Sequence, residues 1–410
     1  MEKKLNKKVS IYLLIILIIE VLYFFLCLLT RGHVFSSVFF GDVNDTFSDF
    51  FKPLYNWHGN PWRDTDNGNY PALAMLFYKL CFHFIPLDVS VGNGLEYRCI
   101  SQAWLIFILA SIFVLIIVNY CMRTLLRIDE KNKEFCFVTL LFSAPVLFAI
   151  ERGNMIVNLS FALILFFVVF YDNDNAVLRE LSIIALAIAA GIRIYPAIFG
   201  ILLLNRKYYK SAIRATIYGA FAFFAPFLYY GPGSLMRWIR TITRMKGELL
   251  TFYGYNYSLE NMYNLTCTFF SVSIPRWVYY AFLAITFIVL TIIGIKTKEK
   301  AIKVMSCVLL GIIIPAQSFE YGLLFLLIPF LYYMNELYDD IGNWDWIKSI
   351  IFVLLLSPLP FPVIWSYTIA GYYLTWSYVV YFIALYAGTI WFVIKNRSLL
   401  KLCVKKRVNE

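Results

Sequence analysis

Residues 9–29 read VSIYLLIILIIEVLYFFLCLL, and this apolar stretch decides the class of fold. A bilayer core about 30 Å thick is crossed by about 20 helical residues, so the stretch is long enough to span it. Four lysines precede it within the first eight residues, and no small-residue cleavage site follows. The pattern predicts an uncleaved first helix whose N-terminus lies in the cytoplasm.

The composition extends this interpretation to the whole chain of 410 residues. Apolar residues make up 61% and charged residues 15%, whereas soluble domains carry about 45–50% and about 25%. The net charge is +11, and most basic residues fall in connectors that the positive-inside rule places in the cytoplasm, so nucleic acid is not needed to explain the charge. The sequence predicts an all-α polytopic membrane protein with about 11–13 transmembrane or half-membrane helices.

Ten further apolar stretches are candidates for membrane-spanning helices. They cover residues 99–122, 135–150, 155–171, 181–204, 213–230, 277–295, 301–315, 321–334, 347–365 and 378–394. Placing the basic connectors and the basic tail in the cytoplasm puts both termini there. We expect a multi-pass protein of the cell membrane, with one integral membrane domain over 1–410 and large outer loops at 30–98 and 231–276.

Two segments do not fit a simple alternation of spans. If 70–87 spanned the membrane, the basic loop after residue 122 would face the outside, against the positive-inside rule. We therefore predict that 70–87 is an outer-surface or partly inserted segment. Both ends of 181–204 lie beside cytoplasmic connectors, which predicts two half-depth helices that meet near 191–196. Broken helices persist at membrane depth only where protein or a watery cavity satisfies the backbone, so this break indicates a site.

Arg193 lies at the predicted break. A charged residue inside an apolar run is costly and usually faces a polar cavity or a partner. Its guanidinium is a planar donor that suits phosphate. The alternative is an arginine whose stem reaches out to the membrane interface.

The strongest candidate for chemistry is the acidic stretch 41–51, GDVNDTFSDFF, just after the first helix. If it is helical, Asp45 and Asp49 share a face, because residues i and i+4 are neighbours. A carboxylate within reach of a hydroxyl proton can act as a general base. The alternative is that these acids cap a helix or are solvated surface groups.

Two further polar features need an explanation. The tetrapeptide 151–154, Glu-Arg-Gly-Asn, forms a predicted outward turn, and it is either an ordinary loop or a contact for phosphate or sugar. Glu20 lies near the middle of the first helix, where a carboxyl is protonated, bonded to a neighbouring helix, or part of catalysis or ion coupling.

Other chemistries have no support in the sequence. The eight cysteines are scattered without a C-x-x-C pair, and the three histidines lack metal-ligand spacing. No glycine-rich phosphate loop occurs, so a soluble nucleotide site is not predicted. We expect neither a metal nor a cofactor.

The order of several motifs resembles bacterial glycosyltransferase family 87, an alpha-1,2-mannosyltransferase-like group in the GT-C class of membrane enzymes. The resemblance covers about residues 9–335. In chain order, the motifs after the acidic stretch are Asn69-Tyr70-Pro71, Glu151-Arg152-Gly153-Asn154, Arg193-Ile194-Tyr195-Pro196, Asn256-Tyr257-Ser258 and Pro315-Ala316-Gln317-Ser318.

The resemblance implies extracytoplasmic, inverting transfer of a hexose, often mannose in this family, from a polyprenyl-phosphate sugar to a glycan or glycolipid acceptor. It implies an aspartate base, for which Asp49 matches best and Asp45 second. It also implies a group of residues that bind the donor phosphate or the substrate, namely Arg193, Arg152, Asn154, Tyr70, Tyr195 and Ser258.

Two other classes of function are compatible with the residues. A transporter or flippase of lipid-linked sugars would use the same broken helix near the midplane, with Glu20 and Arg193 as a coupling pair. A scaffold protein without chemistry of its own is the second alternative. Inverted repeats would favour transport, and none is visible in the sequence.

Overall fold

The computed structural model describes residues 2–39, 46–56, 61–62, 70–85, 94–249, 256–339, 345–361, 367–369 and 372–400. Within them the α-helices are α1 Glu2–Leu29, α2 Ser48–Asn56, α3 Ala72–Phe82, α4 Ser101–Leu125, α5 Glu130–Leu141, α6 Ala144–Arg152, α7 Met155–Phe170, α8 Ala176–Ile192, α9 Tyr209–Tyr229, α10 Ser234–Leu249, α11 Leu259–Phe269, α12 Arg276–Lys296, α13 Lys300–Ile313, α14 Leu327–Asp339, α15 Trp346–Leu356 and α16 Trp376–Lys395.

Shorter elements connect these helices. The 3-10 helices are Phe35–Ser37, Gly94–Cys99, Tyr195–Leu203, Arg206–Tyr208 and Glu320–Leu326. Two three-residue strands, β1 Tyr367–Ile369 and β2 Tyr372–Leu374, pair antiparallel with Tyr367 opposite Leu374. The predicted all-α class is confirmed.

Five helical stretches among the described residues are long and apolar enough to cross a membrane. They are Lys7–Leu29, Ser101–Leu125, Arg206–Tyr229, Arg276–Lys296 and Trp376–Lys395. The helices α5 and α6 add a sixth span if they are counted together, with a bend of 51° between them. Large apolar side chains such as Ile116 and Phe221 are 63% and 73% exposed on these helices, as expected of lipid-facing surfaces. The chain is a multi-pass membrane protein.

The chain divides into two compact units. The first unit comprises Met1–Phe40, Met122–Phe148 and Thr251–Glu410, and the second comprises Gly41–Cys121 and Ala149–Leu250. The expectation of one integral membrane domain stays a prediction.

In the second unit, α7, α8 and α9 pack side by side and α3 lies against α8 and α9. Gly191 allows this close approach, because a Cβ atom at that position would lie 2.9 Å from the carbonyl oxygen of Ala222 and 2.8 Å from the side chain of Leu73. Helix α3 fills most of the 70–87 segment and is too short to cross a bilayer alone, and its place at the outer surface stays a prediction.

The predicted break in 181–204 is present. Helix α8 ends at Ile192, Arg193 adopts an extended backbone, and the chain continues as the 3-10 helix Tyr195–Leu203. Proline at position 196 fits the first turn of that helix, where its missing N–H costs nothing. A single apolar run in the sequence is therefore an α-helix and a 3-10 helix joined through a residue with an extended backbone.

In the first unit, polar side chains gather near the two ends of α1. Near its start, the Ser10 hydroxyl donates to Asn132 Oδ1 at 2.7 Å and the Tyr12 hydroxyl donates to the carbonyl of Ser349 at 2.8 Å. Just beyond its other end, the Ser37 hydroxyl donates to the carbonyl of Leu359 at 3.1 Å. In the predicted topology positions 132 and 349 are cytoplasmic and positions 37 and 359 approach the outer side, and this orientation stays a prediction.

Candidate active site

The described part of the acidic stretch, from residue 46 onward, lies against the Glu-Arg-Gly-Asn turn in the second unit. The backbone N–H of Phe47 donates to the carbonyl of Glu151 at 2.7 Å. Gly153 has φ +64°, and a Cβ atom there would lie 2.9 Å from the Cα atom of Phe47. Phe47 itself has φ +57°, a conformation that is rare for a bulky residue. Two left-handed residues thus allow the two chain segments to meet.

The carboxylate of Asp49 is held at both oxygens. Its Oδ1 accepts from Arg152 Nη2 at 2.8 Å, and its Oδ2 accepts from Asn154 Nδ2 at 2.8 Å. The Asn154 Oδ1 accepts from the backbone N–H of Val157 at 3.1 Å and so caps α7. Because that bond uses the amide oxygen, the amide nitrogen is turned toward Asp49. The side chains of Asp49 and Arg152 remain 19% and 15% exposed, so the carboxylate has lone pairs that a third group can reach.

Aromatic residues fix the backbone of Asp49. The Tyr78 hydroxyl donates to the Asp49 carbonyl at 2.8 Å, and burial holds the pKa of Tyr78 well above its usual value, so the phenol stays a donor. The Tyr70 ring lies 5.8 Å from the Tyr78 ring, and the Tyr70 carbonyl accepts from Trp62 Nε1 at 3.3 Å. Tyr70 therefore belongs to the packing behind Asp49.

Arg193 and Tyr195 form a second feature of the same unit, at the break after α8. Arg193 is half-buried, and its guanidinium carbon lies 5.3 Å from the centre of the Tyr195 ring, an arrangement typical of a cation–π contact. Ile194, between them, is 52% exposed. The break thus carries a cation beside an apolar surface.

An apolar groove of about 720 Å³ lies beside this break. Its walls come from α8, the 3-10 helix and α9, and its lining includes Ile194, Ala197 and Phe223, with Thr216 as a polar exception. Alanines and glycines make up much of the remaining lining. The groove runs along parts of α8 and α9. It presents almost no hydrogen-bonding groups.

The first unit contains a contrasting polar cluster, the neutral cluster, made of Asn256, Ser258, Asn261, Ala316 and Tyr378. Ser258 caps α11: its Oγ accepts from the N–H of Asn261 at 3.0 Å and donates to the carbonyl of Ala316 at 2.9 Å. The Asn261 amide donates to the carbonyl of Asn256 at 2.7 Å and to the Tyr378 hydroxyl at 2.9 Å. Ser258 is fully buried, so its hydroxyl is committed to backbone partners, and its substrate-binding role stays a prediction.

The predicted site residues are therefore distributed over three places. Arg152 and Asn154 both donate to Asp49, with Tyr70 in the packing behind it. Arg193 and Tyr195 lie together at the helix break, and Ser258 belongs to the other unit. Asp45 lies outside the described residues. The position of its side chain therefore does not enter the choice between Asp45 and Asp49 as the general base.

Two contributors to the site were missed in the sequence. Tyr78 was not singled out, although it shares with Tyr70 and Met75 a buried face of the 70–82 segment. No separate role was predicted for Gly153, whereas its left-handed backbone is what permits the contact with Phe47. A glycine between two polar residues at a tight turn is the pattern that indicates such a role.

The structure also bears on metal binding and on the position of Glu20. Among the residues that the structure describes, no group of three or more His, Cys, Asp or Glu side chains could hold a metal ion. Glu20 is 1% exposed on the face of α1 that also buries Ile16 and Tyr23, and no hydrogen-bond partner for its carboxyl occurs in the described part of the chain.

The fold and the site define a class: a multi-pass, all-α membrane protein with an orientated carboxylate at a connector between helices and an arginine at a broken helix. The chain belongs to glycosyltransferase family 87, whose family model matches residues 70–314. It is a glycosyltransferase, and its architecture is consistent with the GT-C class. The matched range includes Arg152, Asn154 and Arg193 and begins after Asp49. The chain matches no curated protein and no solved structure.

Proposed function

We propose that this glycosyltransferase moves a hexose from a polyprenyl-phosphate sugar to a glycan or glycolipid acceptor, with inversion, and that Asp49 is the general base. The observation that carries the proposal is the Asp49 carboxylate, which is orientated by Arg152 and Asn154 and still 19% exposed. A general base needs both features, because it must have a fixed direction and must be reached by the acceptor hydroxyl.

In the proposed reaction the acceptor hydroxyl oxygen attacks the anomeric carbon from the face opposite the phosphate. Its proton passes to a carboxylate oxygen of Asp49 as the new C–O bond forms. The bond between the anomeric carbon and the phosphate oxygen breaks, and its electron pair stays on the polyprenyl phosphate. One displacement of this kind inverts the anomeric configuration, and the charge that grows is on the leaving phosphate.

Arg193 is the proposed partner of that phosphate. Its guanidinium is always charged and offers a planar set of donors, and it lies at a helix break in an apolar part of the chain. Tyr195 supports the guanidinium from one side. Removing Arg193 should therefore weaken stabilisation of the leaving group.

The apolar groove supports a lipid-linked donor. An isoprenoid chain has no hydrogen-bonding groups, and neither do most of the side chains along α8 and α9 that line the groove. With the phosphate near Arg193, the chain would run along Ile194 and Ala197. Because that chain comes from the bilayer and not from water, the groove would bind it by close van der Waals packing, without a gain from the hydrophobic effect.

Arg152 and Asn154 receive a different role from the one that the resemblance implies. In the structure both donate to Asp49, so we assign them to orientation of the base. The substrate would then contact Asp49 itself, through its exposed fraction, and the phosphate would contact Arg193.

We also propose that both termini are cytoplasmic and that Asp49 faces the extracytoplasmic side. The described connectors of the first unit support this, since 256–261 and 316–318, both predicted outward, meet in the neutral cluster. Reporter fusions at the C-terminus would test the orientation, because alkaline phosphatase is active only outside the cytoplasm. An active fusion after residue 410 would contradict the proposed topology.

The function is tested by mass spectrometry of lipid-linked and envelope glycans from a deletion strain complemented with variants. We expect a glycan that lacks one hexose in the deletion strain, restored by the wild-type chain and by Asp45→Asn, but not by Asp49→Asn. Restoration by Asp49→Asn alone would assign the base to Asp45. Restoration by both variants would remove the aspartate mechanism, and hexose movement across reconstituted vesicles without product would indicate transport instead.

A further inference from the structure

Helix α10 follows directly on a membrane-spanning helix. Tyr229 is the last residue of α9, and Ser234 is the first residue of α10. Gly231 and Gly233 in the turn between them both have positive φ. Four connecting residues span at most about 14 Å, so the start of α10 is confined to the end of the spanning helix, at the level of the membrane interface.

One face of α10 is packed within the second unit. The Trp238 ring lies 5.5 Å from the Phe223 ring and 5.6 Å from the Phe227 ring of α9. The Ser234 hydroxyl donates to the carbonyl of Phe227 at 2.7 Å. Trp238 and Thr241 are 5% and 7% exposed. The helix therefore has a fixed orientation about its own axis.

The opposite face of α10 is apolar and uncovered within this unit. Met236 is 53% exposed and Ile239 is 42% exposed. Met236, Ile239 and Thr243 follow a helical spacing of three and four residues, so they form one stripe. An apolar stripe turned away from the packed face is typical of a helix that lies in a bilayer interface.

A row of arginines flanks that stripe. Arg237, Arg240 and Arg244 are spaced three and four residues apart and share a side of the helix. Arg240 and Arg244 are exposed, and Arg237 is half-buried. The acidic residue of α10 is Glu248, which follows Arg244 by one helical turn. Its side chain lies outside the described residues. The flank near Arg237 and Arg240 is therefore strongly cationic.

We propose that α10 is an interfacial helix whose Arg237–Arg240 flank binds the headgroup phosphates of anionic phospholipids, while Met236 and Ile239 enter the acyl-chain boundary. A free phosphate or a soluble polyanion would use the arginines only and would leave the apolar stripe in water. A phospholipid satisfies both surfaces together, because its phosphate and its acyl chains lie at adjoining depths. This surface is separate from Asp49 and Arg193, and the inference does not depend on the proposed sugar transfer.

The test is photo-crosslinking in nanodiscs that contain equal amounts of dioleoylphosphatidylglycerol and dioleoylphosphatidylcholine. One protein carries p-benzoylphenylalanine in place of Ile239, and a matched control carries it in place of Ile217, which is 58% exposed on the spanning helix α9. Mass spectrometry of the adducts gives the ratio of anionic to zwitterionic lipid at each position. We expect this ratio to be several-fold higher at position 239 than at position 217.

Charge changes make the assignment specific. The double variant Arg237→Gln/Arg240→Gln should lower the ratio at position 239 by up to about fivefold for each arginine, whereas Arg237→Lys/Arg240→Lys should retain most of it. Raising the salt concentration with unaltered arginines should also lower it, because screening shortens the range of the attraction. Equal ratios at 239 and 217, a ratio insensitive to the glutamine variant, or no lipid adduct at 239 would each overturn the proposal.

Discussion

The site around Asp49 and the neutral cluster around Ser258 both join two connectors by a backbone hydrogen bond. They differ in the charge and the exposure of their side chains. In each, a backbone N–H of one connector donates to a carbonyl of another at 2.7 Å, from Phe47 to Glu151 and from Tyr257 to Ser318. Within the neutral cluster, the side chains that donate and accept these hydrogen bonds are uncharged and buried. Around Asp49 an ion pair remains partly exposed.

This difference separates stability from chemistry. Buried neutral hydrogen bonds specify how two connectors fit together, and an unsatisfied member costs about 1–3 kcal/mol. A mostly buried ion pair adds little net stability, since desolvation of the two charges offsets much of their attraction. The Asp49–Arg152 pair, 19% and 15% exposed, therefore adds little net stability, while the exposed fraction of Asp49 leaves room for contact with a substrate.

The largest expected effect is on activity at Asp49. Asp49→Asn should lower sugar transfer by about 10²–10⁴-fold, because the amide cannot take up a proton, and should lower the thermal unfolding midpoint in detergent moderately, because Arg152 loses its carboxylate at a mostly buried position. Transfer is measured in isolated membranes with equal amounts of folded enzyme. If the variant instead unfolded early and kept its specific activity, the contrast between the two clusters would disappear.

Arg152→Gln tests whether Arg152 orients Asp49 or binds the donor. Loss of orientation should lower kcat by about 10²-fold with the KM for the donor nearly unchanged. Arg152→Lys should recover only part of kcat, since an ammonium does not reproduce the planar donor set. A rise in the donor KM at constant kcat would return Arg152 to the phosphate-binding role.

Gly153→Ala tests the contact between the two connectors. Forcing an alanine into the left-handed conformation costs about 1–2 kcal/mol, and the new Cβ atom meets the Phe47 backbone, so both the free energy of unfolding and activity should fall. Gly32→Ala is the matched control, because φ is +88° there and nothing lies within 4 Å of the added atom. Equal loss of activity in the two variants would show that the contact with Phe47 is unimportant.

The smallest expected effect is at Ser258. Ser258→Ala removes the cap of α11 and should lower the free energy of unfolding by about 1 kcal/mol, measured as a lower unfolding midpoint. The specific activity of the folded enzyme should stay near that of the wild type. A large loss of activity without loss of stability would support the substrate-binding role that the family resemblance implies.

The membrane fold was predictable because it rests on local properties of the chain. Length and apolarity predicted the five long apolar helices, and the cytoplasmic connectors at both ends of 181–204 predicted the break after α8. The bend between α5 and α6 was not predicted, since the apolar run 135–150 continues through it. Composition does not show such a bend.

The individual residues of the site were predictable from the sequence, but the contacts between them were not. Asp49, Arg152 and Asn154 were each candidates from charge and position. Their contact joins residues about one hundred positions apart, and nothing in local spacing shows that the carboxylate would accept from both. The left-handed backbones of Phe47 and Gly153, which make the contact possible, depend on packing that only the structure shows.

The division of the chain into two units has a consequence for biosynthesis. The second unit is complete once Leu250 has been made, whereas the first unit includes α1 and waits for α16. At about 5–20 residues per second, the roughly 145 residues between Leu250 and Lys395 take about 7–30 s to translate. For much of this interval α1 lacks α14, against which it packs in the folded unit. We expect membrane chaperones or proteases to meet the nascent enzyme in that window.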